Sequence, residues 1–472
     1  MLSFLREKAK FIGLGIILFF VVTMSAGSLF LKNAVSSNSA KTQPQGDAVG
    51  MIGELPVDGG KYSELISQAS AEFQQQHIKH LDPEMAEMVS YSCFNQAAQY
   101  TILKESAKAS KIKVSSEEKD QALEGIYRQY DLKDKKQLKA LLKKNNLPFD
   151  QFMDNIELDL KIQKFAESLK NQVTVTEQDV KNKYTQVHVQ HILLITQSAK
   201  SGSDEEVLKK IEGIEASIRK GLDFGQAAAT YSEDSKTKDK KGDLGWLVYG
   251  KTLKEFEDVA FALDKDEVSK PIKTAMGYHI IKVLDKKTSL PPNLDLNKEK
   301  GVVLQEKQNR AIQNYIQAFL IKAPLKMMDP SLKAYHAKIS GHITEAINAY
   351  QGQISVNPAN PVPHYLLAKI YLLTQENALA KQELEKGDLK ADMSPQYDFP
   401  SLHIALGKIY KAENRDKDKQ VQFTKAIAIA NGDAFTLKQL ASTFKTLGES
   451  SFEAEATKST QKIEAIPVQH VK

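Results

Sequence analysis

The sequence is poor in cysteine, and this limits the cross-links it can make. Cys93 is the only cysteine in 472 residues, so no intramolecular disulfide can form. The scarcity of cysteine does not distinguish a cytoplasmic from an extracytoplasmic protein, because a large extracytoplasmic protein can rely on its core alone. An excess of one charge is also absent, since 64 Lys and Arg are interspersed with 59 Asp and Glu to give a net charge of +5. The sequence therefore lacks the clustered basic surface that is typical of nucleic-acid-binding proteins.

The overall composition is that of an ordinary globular protein. Hydrophobic residues make up 42% of the chain and charged residues 26%, which are typical values. A chain of this length exceeds what one hydrophobic core usually organises, so we expect two to four domains.

One long apolar run without charge extends from Phe11 to Leu31. As a helix it could span about 30 Å of hydrocarbon, and Arg6, Lys8 and Lys10 before it favour an amino terminus in the cytoplasm. The alternative is a cleaved signal peptide, with Ser25–Gly27 as a small-residue cleavage site. We expect a membrane anchor, because the run continues past that site. No cysteine directly follows the run to carry a lipid.

Three sequence blocks in the middle of the chain carry the strongest functional signal. They are Gln190–Leu194 (QHILL), Gly242–Trp246 (GDLGW) and Gly277–Val283 (GYHIIKV). In this order they resemble the parvulin-type peptidyl-prolyl cis/trans isomerase domain, over roughly Val187–Lys286. The resemblance implies an antiparallel sheet with helices, and an enzyme that isomerises X-Pro bonds.

The resemblance also implies a set of site residues. The residues that match the family's catalytic positions are His191, Asp234, Thr274 and His279. The residues that match its substrate-binding cup are Leu244, Thr252, Phe256 and Met276. No cofactor is implied, and no Cys, His or carboxylate cluster beside the histidines has the spacing of metal ligands.

Thr252 departs from the family pattern, because a methionine commonly lines the cup at this position. A threonine is smaller and carries a hydroxyl, so we expect a shallower or wetter cup unless Leu253 compensates. Plain structural roles stay open for the other residues. His191 and His279 could be a satisfied core pair, and Asp234 could cap a loop.

The chemistry explains why such a site needs no nucleophile. An X-Pro bond isomerises over a barrier of about 18–20 kcal/mol and takes tens to hundreds of seconds unaided. The barrier falls when a site prefers the twisted amide over the planar one. A dry apolar cup for the proline ring with fixed polar groups beneath it would provide this preference.

A helical block precedes the isomerase blocks. Its apolar periodicity predicts helices over Ala86–Ser110, Lys135–Asn145 and Phe149–Asn171, and Ser115 and Glu118 have capping-box spacing. The block resembles the amino-terminal chaperone region of the SurA, PpiD and PrsA foldases. The alternative is an unrelated helical domain.

Beyond Pro330 the pattern repeats. Ala346 and Ala380 are 34 residues apart, as are Tyr410 and Phe444. These spacings resemble three to four tetratricopeptide repeats, each a pair of helices. A generic array of helical hairpins is the alternative, and it would carry nearly the same partner-binding meaning.

The predicted fold class is a multi-domain α+β protein with a transmembrane helix, a SurA-like helical chaperone domain, a parvulin domain and a tetratricopeptide-like array. The predicted boundaries are 1–35 for the cytoplasmic tip and anchor, 36–48 for a linker, 49–185 for the chaperone domain (completed by 293–328), 186–287 for the isomerase, 288–330 for a return helix and 331–472 for the repeats.

The predicted function is an extracytoplasmic isomerase and chaperone, anchored in the cytoplasmic membrane by one helix. Its expected partners are unfolded or newly translocated polypeptides with X-Pro bonds, and a protein that docks on the repeat array. No nucleic acid is expected. Two alternatives stay open: a chaperone with a slow or inactive isomerase fold, and a scaffold that docks an envelope assembly partner through its repeats.

Overall fold

The computed structural model describes residues 48–75, 78–196, 203–274 and 276–465. The predicted anchor Phe11–Leu31 and the alternative cleavage site lie outside these residues. Within the described ranges, no helix is both long enough and apolar enough to cross a membrane.

The amino-terminal third is mostly helical, as the periodicity predicts. Its elements are β1 (Gly50–Ile52), β2 (Leu55–Pro56), α1 (Gly59–Gln75), α2 (Pro83–Ala109), α3 (Ser116–Gln129), α4 (Lys135–Lys144), α5 (Phe149–Asn171) and α6 (Glu177–Lys183). The predicted capping box is confirmed: the Ser115 side chain accepts the Glu118 N–H, and the Glu118 carboxylate accepts the Ser115 N–H. Both otherwise unpaired donors at the start of α3 are thereby satisfied.

The middle of the chain forms a small antiparallel sheet with helices, as the parvulin resemblance predicts. Its elements are β3 (Thr185–Ile195), α7 (Asp204–Arg219), α8 (Phe224–Tyr231), β4 (Asp243–Val248), α9 (Lys254–Ala262), β5 (Ile272–Thr274) and β6 (Gly277–Thr288). The strand order is β4-β3-β6-β5, and every neighbouring pair is antiparallel.

The two faces of this sheet follow from the two-residue period of its strands. On one face, Ile192 and Leu194 of β3 and Ile280 of β6 pack with helices α7 and α8. On the other face, residues from the same strands pack with α9. The strands β3 and β6 are therefore buried on both sides, and they position side chains rigidly.

The carboxy-terminal part begins with a long helix and continues as hairpins. Its elements are α10 (Leu296–Lys322), β7 (Leu325–Met327), α11 (Pro330–Ile339), α12 (Ile343–Val356), α13 (Val362–Leu373), α14 (Asn377–Met393), α15 (Pro400–Ala412), α16 (Asp416–Ile429), α17 (Ala434–Leu447) and α18 (Ser450–Glu464). The helices α11 to α18 form four consecutive hairpins within the described residues.

The turns inside the hairpins are equivalent. Each contains one residue with positive φ, namely Gly341 (80°), Gln375 (65°), Asn414 (57°) and Gly448 (71°). Their spacings of 34, 39 and 34 residues give the array its structural period, and the longer step contains the 3₁₀ turn Pro395–Tyr397. Glycine and asparagine tolerate this left-handed conformation, which lets the chain reverse between two helices.

The described chain divides into two compact units. One consists of residues 48–101 and 325–465, and the other consists of residues 102–324. The first unit is closed by a three-stranded sheet in which β1 pairs with β7 from far along the chain. The second unit contains the sheet of the isomerase region and the helices α3 to α10. The boundary after Thr101 falls inside the segment 49–185 of the predicted chaperone domain.

Candidate active site

The paired histidines lie on adjacent strands at the centre of the sheet. His279 of β6 is directly opposite Leu193 of β3, and His191 is directly opposite Ile281. Alternation along each strand places both imidazoles on the α9 face, where their rings lie 5.7 Å apart between centroids. Their exposed fractions are 5% and 3%.

Two glycines allow the backbone to close tightly around these histidines. Gly242 (φ +81°) accepts the His191 N–H at 2.9 Å, and a Cβ there would lie 2.4 Å from the His191 carbonyl oxygen. Gly277 (φ +146°) begins β6, and a Cβ there would lie 2.1 Å from the Leu194 carbonyl oxygen. Only glycine fits either position, which explains one residue in each of two sequence blocks.

A carboxylate fixes the orientation of His191. The His191 Nε2 lies 2.8 Å from Asp234 Oδ2, and the Thr237 hydroxyl donates to the same oxygen at 2.6 Å. Burial alone would raise the pKa of Asp234, but its hydrogen bonds with Thr237 and His191 lower that pKa below the usual value. An ionised carboxylate only accepts, so His191 carries its proton on Nε2 and its Nδ1 is an acceptor.

That tautomer determines the next hydrogen bonds. His279 Nδ1 faces His191 Nδ1 at 3.5 Å, so the proton of this contact belongs to His279. His279 Nε2 is then an acceptor, and the Thr274 hydroxyl donates to it at 2.8 Å. The Met276 N–H donates to the Thr274 oxygen at 3.1 Å. One directional chain of hydrogen bonds therefore joins the Met276 backbone to Asp234.

Both histidines are electrically neutral near pH 7. Burial lowers the pKa of His191 more than Asp234 raises it. Burial and the neighbouring His191 lower the pKa of His279 to about 4. Neutral rings are consistent with the donor and acceptor roles just described, because a protonated imidazole has no acceptor nitrogen.

Phe256 forms an apolar wall beside the histidines. Its ring meets His191 edge-on at 5.9 Å and His279 edge-on at 5.4 Å, and it is 5% exposed. Leu244 and Leu253 are partly buried in the same hydrophobic cluster. These contacts provide the apolar side of a cup whose polar side is the hydrogen-bond chain.

The other two predicted substrate residues differ from this cluster. The Thr252 hydroxyl is buried and has no hydrogen-bond partner among the described residues. The Met276 side chain is 50% exposed, while its backbone supports Thr274. The structure thus brings His191, Asp234, Thr274, His279 and Phe256 into one connected group, which the contacts of Thr252 and the Met276 side chain do not join.

Sequence reasoning missed Thr237. It lies three residues after Asp234, in the turn that ends with the 3₁₀ segment Lys238–Lys240, and its hydroxyl also lies 3.0 Å from His191 Nε2. An Asp followed by a Thr at this spacing is a local turn signal, since short polar side chains bond nearby groups.

Sequence reasoning also missed the support behind Phe256. The next residue, Glu257, is 2% exposed and its carboxylate accepts both the Gly250 N–H and the Arg310 guanidinium, the latter at 2.6 Å. Arg310 belongs to α10 and also lies 4.9 Å from the Tyr249 ring. A residue from the long helix therefore neutralises a buried charge at the base of α9.

A second contact from α10 reaches the same loop. Lys307 donates to Asp179 of α6 at 2.7 Å, and the Tyr249 hydroxyl donates to the same carboxylate oxygen at 2.8 Å. The loop that precedes α9 is thus bonded at Tyr249 and Gly250 to groups outside the sheet. These bonds restrict the position of Phe256.

This sheet, with paired neutral histidines beside an apolar wall, has the arrangement of a parvulin-type domain. A family model described as the PPIC-type PPIase domain matches residues 191–285, and one described as a SurA-like N-terminal domain matches residues 1–166.

Similar curated proteins are foldases. Foldase protein PrsA 1 of Bacillus cereus is 38% identical over 34% of this chain and 53% of its own length. Foldase protein PrsA 3 of Bacillus anthracis is 30% identical over 51% of this chain and 80% of its own length. A foldase protein PrsA of Geobacillus is 32% identical over 49% and 79%. The chain therefore spans about half of the first relative and about four fifths of the other two.

The chain belongs to the PrsA foldase family. A crystal structure of peptidylprolyl isomerase (PrsA) from Bacillus cereus aligns at 27% identity over 53% of this chain and 91% of its own, with a TM-score of 0.24. Family membership rests on the sequence matches and not on this superposition.

Proposed function

We propose that this protein isomerises X-Pro bonds in unfolded polypeptides on the extracytoplasmic side of a membrane and assists their folding. The observation that carries the proposal is the buried chain of hydrogen bonds through His191 and His279, with Phe256 across both rings. Membership of the PrsA foldase family supports the same class of client and the same side of the membrane.

The geometry suggests how the barrier falls. The planar amide is the more polar state, because conjugation places negative charge on its carbonyl oxygen, and the twisted state loses that charge separation. An apolar wall such as Phe256 therefore favours the twisted state when the proline ring leaves water. The neutral histidines, held in one tautomer each, present fixed dipoles that need no reorganisation during the reaction.

Each predicted residue then has a role. Asp234 and Thr274 hold the ends of the hydrogen-bond chain, and His191 and His279 form its centre. Phe256 and Leu244 contact the proline ring, and Thr252 and Met276 border the cup. The contacts described above support the roles of the first six residues, whereas the roles of Thr252 and Met276 are taken from the family resemblance alone.

The domain roles are part of the same proposal. Residues 186–287 form the isomerase, 49–185 with 293–328 form the chaperone module, and 331–472 form a tetratricopeptide-like array. The run Phe11–Leu31 anchors the chain in the cytoplasmic membrane. The four hairpins with a 34- to 39-residue period support the repeat assignment.

A protease-coupled assay with proline peptides tests the activity. The chain lacking the apolar run should accelerate cis-to-trans conversion, and His279→Ala should remove most of the acceleration. A matched control is His188→Ala, because His188 lies on the neighbouring strand β3 and bonds Asp243 instead of the site. If wild type and His279→Ala convert the peptide equally, the isomerase proposal is wrong.

One observation favours a slower enzyme as the second candidate. The buried Thr252 hydroxyl has no hydrogen-bond partner in the described part of the chain, which is unfavourable in an apolar cup. A chaperone with weak isomerase activity would bind unfolded polypeptides as the wild type does while turning over proline peptides poorly. Suppression of client aggregation, measured beside turnover on the same protein, separates the two.

A further inference from the structure

Residues 79–91 contact the helical array along its whole length. Lys79 and His80 donate their backbone N–H groups to Asp433 at 2.8 and 3.2 Å. At the other end of the segment, the Tyr91 hydroxyl lies 2.9 Å from His336 Nδ1. Asp433 precedes the fourth hairpin and His336 belongs to the first. The segment therefore runs antiparallel to the order of the hairpins.

The middle of the segment meets the two hairpins between these ends. Asp82 accepts hydrogen bonds from Ser401 of α15 and, at 3.4 Å, from Tyr365 of α13. Glu84 forms an ion pair with Lys369 of α13 at 3.1 Å. Each hairpin thus contributes at least one polar side chain from its first helix or the cap before it. We name this surface, formed by α11, α13, α15 and α17, the array face.

The carboxylates of residues 79–91 contact basic side chains of the array face. Lys338 of α11 lies 3.0 Å from Glu87, whose other oxygen accepts the Tyr350 hydroxyl at 2.7 Å. Lys408 occupies the position of Lys369 one hairpin later, six residues before the equivalent positive-φ turn. Its ammonium has no acidic partner among the described residues, and burial together with Lys369 lowers the pKa of Lys408. Lys338 and Lys369 of the array face are therefore paired with carboxylates of the segment, whereas Lys408 lies beside Lys369 without such a pair among the described residues.

The part of the segment that the array face contacts is the start of helix α2. Asp82 accepts the Glu84 N–H at 2.8 Å, so it caps α2 while it bonds the array. Pro83 occupies the first helical position, Asp82 directly precedes it, and Glu84 and Glu87 follow it. A cleft of about 510 Å³ lies beside this contact, lined by Lys79, His80 and Glu87 on one side and by array residues on the other. The contact is consequently polar, charged and open to solvent at its edge, as peptide-recognition surfaces are.

We propose that the array face is a binding site for peptides with an acidic helix start, Asp-Pro-Glu-x-x-Glu, and that residues 79–91 occupy it as an intramolecular ligand. A partner with the same chemistry then binds only by displacing this segment. The linked segment has an advantage, because a tethered ligand acts at an effective concentration that reaches the millimolar range.

Fluorescence anisotropy with a labelled peptide of residues 79–91 tests this in the full chain. Wild type should bind the probe weakly, because its own segment competes. The variant Asp82→Asn/Glu84→Gln keeps a capping side chain at position 82 and weakens the internal ligand. It should bind the native probe at least about tenfold more tightly than wild type does. Adding Lys369→Gln should reverse that gain.

Two controls accompany the measurement. Glu105→Gln removes a carboxylate that pairs with Lys108 on the same helix and should leave probe binding at the wild-type level. A probe with Asn and Gln at positions 82 and 84 should bind the opened variant more weakly than the native probe does. If the opened variant, with unchanged circular dichroism and melting temperature, binds the native probe no better than wild type, the contact is packing only.

A measurement without mutations gives an independent result. In wild type, the amides of Lys79 and His80 are bonded to Asp433, so they should exchange slowly with deuterium. A large excess of unlabelled native peptide should accelerate their exchange, whereas the Asn/Gln peptide should not. Equal exchange with and without the native peptide would contradict displacement.

Discussion

The candidate active site and the array face both bury polar side chains, but they satisfy them by different means. At the active site, His191 and His279 are uncharged and are ordered by the direction of their hydrogen bonds. At the array face, Glu84 and Glu87 meet the ammonium groups of Lys369 and Lys338. The strength of an uncharged chain of hydrogen bonds depends on geometry and little on salt concentration, whereas ion pairs weaken as the salt concentration increases. The first arrangement suits positioning of reacting groups, and the second suits selection of a partner.

The largest expected effect is at the active site, where one buried ion pair supports the uncharged hydrogen-bond chain. Arg310→Met should leave the Glu257 carboxylate buried without its counter-charge, which costs about 3–5 kcal/mol of stability. Turnover should fall as well, because Glu257 adjoins Phe256. Adding Glu257→Gln removes the buried charge and should restore most of both. Urea unfolding and proline-peptide turnover measure these effects.

The control for that variant is a pair at the surface. Arg219→Met removes an exposed partner of Glu215 and should change stability by less than about 1 kcal/mol. If Arg310→Met is no worse than Arg219→Met, or if Glu257→Gln does not rescue it, α10 does not position the wall of the cup.

The pH dependence of stability should have opposite signs in the two regions. The pKa of His279 falls from 6.5 to about 4 on folding, so the unfolded state binds the proton first as pH decreases. The stability that neutral His279 contributes, about 3 kcal/mol, is therefore complete above pH 6.5 and lost between pH 6.5 and 4. His279→Gln should flatten this slope in an unfolding titration.

Glu87 should behave in the reverse way. Burial raises the pKa of Glu87 despite Lys338, so the unfolded state releases the proton first as pH increases. Its contribution to stability therefore decreases as pH rises above 4.5. Hydrogen exchange followed separately in residues 48–101 and 102–324 between pH 4 and 7 distinguishes the two slopes. Parallel slopes would contradict the difference in charge state.

Within the active site, the two histidines should act as a unit. His191→Ala or His279→Ala leaves a buried partner unsatisfied and should reduce kcat/KM about 5- to 150-fold, as expected for about 1–3 kcal/mol. The double variant should be little worse than either single variant. Circular dichroism verifies the fold. Fully additive losses would mean that the rings work independently.

The smallest expected effect compares two hydroxyls. Thr252→Val removes a buried hydroxyl that no described residue bonds, and it should stabilise the protein by about 1 kcal/mol, with turnover unchanged or higher. Thr237→Val removes a hydroxyl that donates to Asp234 and should destabilise by a similar amount. Thermal unfolding of both variants gives the comparison, and a destabilised Thr252→Val would mean that the hydroxyl has a partner.

Local signals in the sequence predicted local structure well. Phe149–Asn171 is helical over the predicted residues, and the Ser115 and Glu118 capping box forms as expected. The isomerase sheet was predicted from the resemblance of three short blocks to the parvulin family, and two of these blocks begin with glycines that have positive φ in the structure. The pairing of His191 with Ile281 depends on the register between β3 and β6. The two-residue period of the strands restricts that register strongly.

Contacts between distant residues could not be predicted in the same way. Glu257 and Arg310 are 53 residues apart, and nothing in a helical period distinguishes Arg310 from other basic residues of α10. The contact of residues 79–91 with the array depends on pairs separated by more than 240 residues. Single-chain periodicity shows which face of a helix is apolar, but it does not show which polar partner that helix meets.

The separation between Lys79 and Asp433 also determines an order of assembly. A sequence separation of 354 residues must be synthesised before this hydrogen bond can form, which takes roughly 20–70 s at ribosomal rates of 5–20 residues per second. Residues 102–324 form a continuous stretch and can fold during that interval, since loop closure over short distances is faster. The amino-terminal helices that contact the array therefore lack their final contacts until the last hairpin has been synthesised.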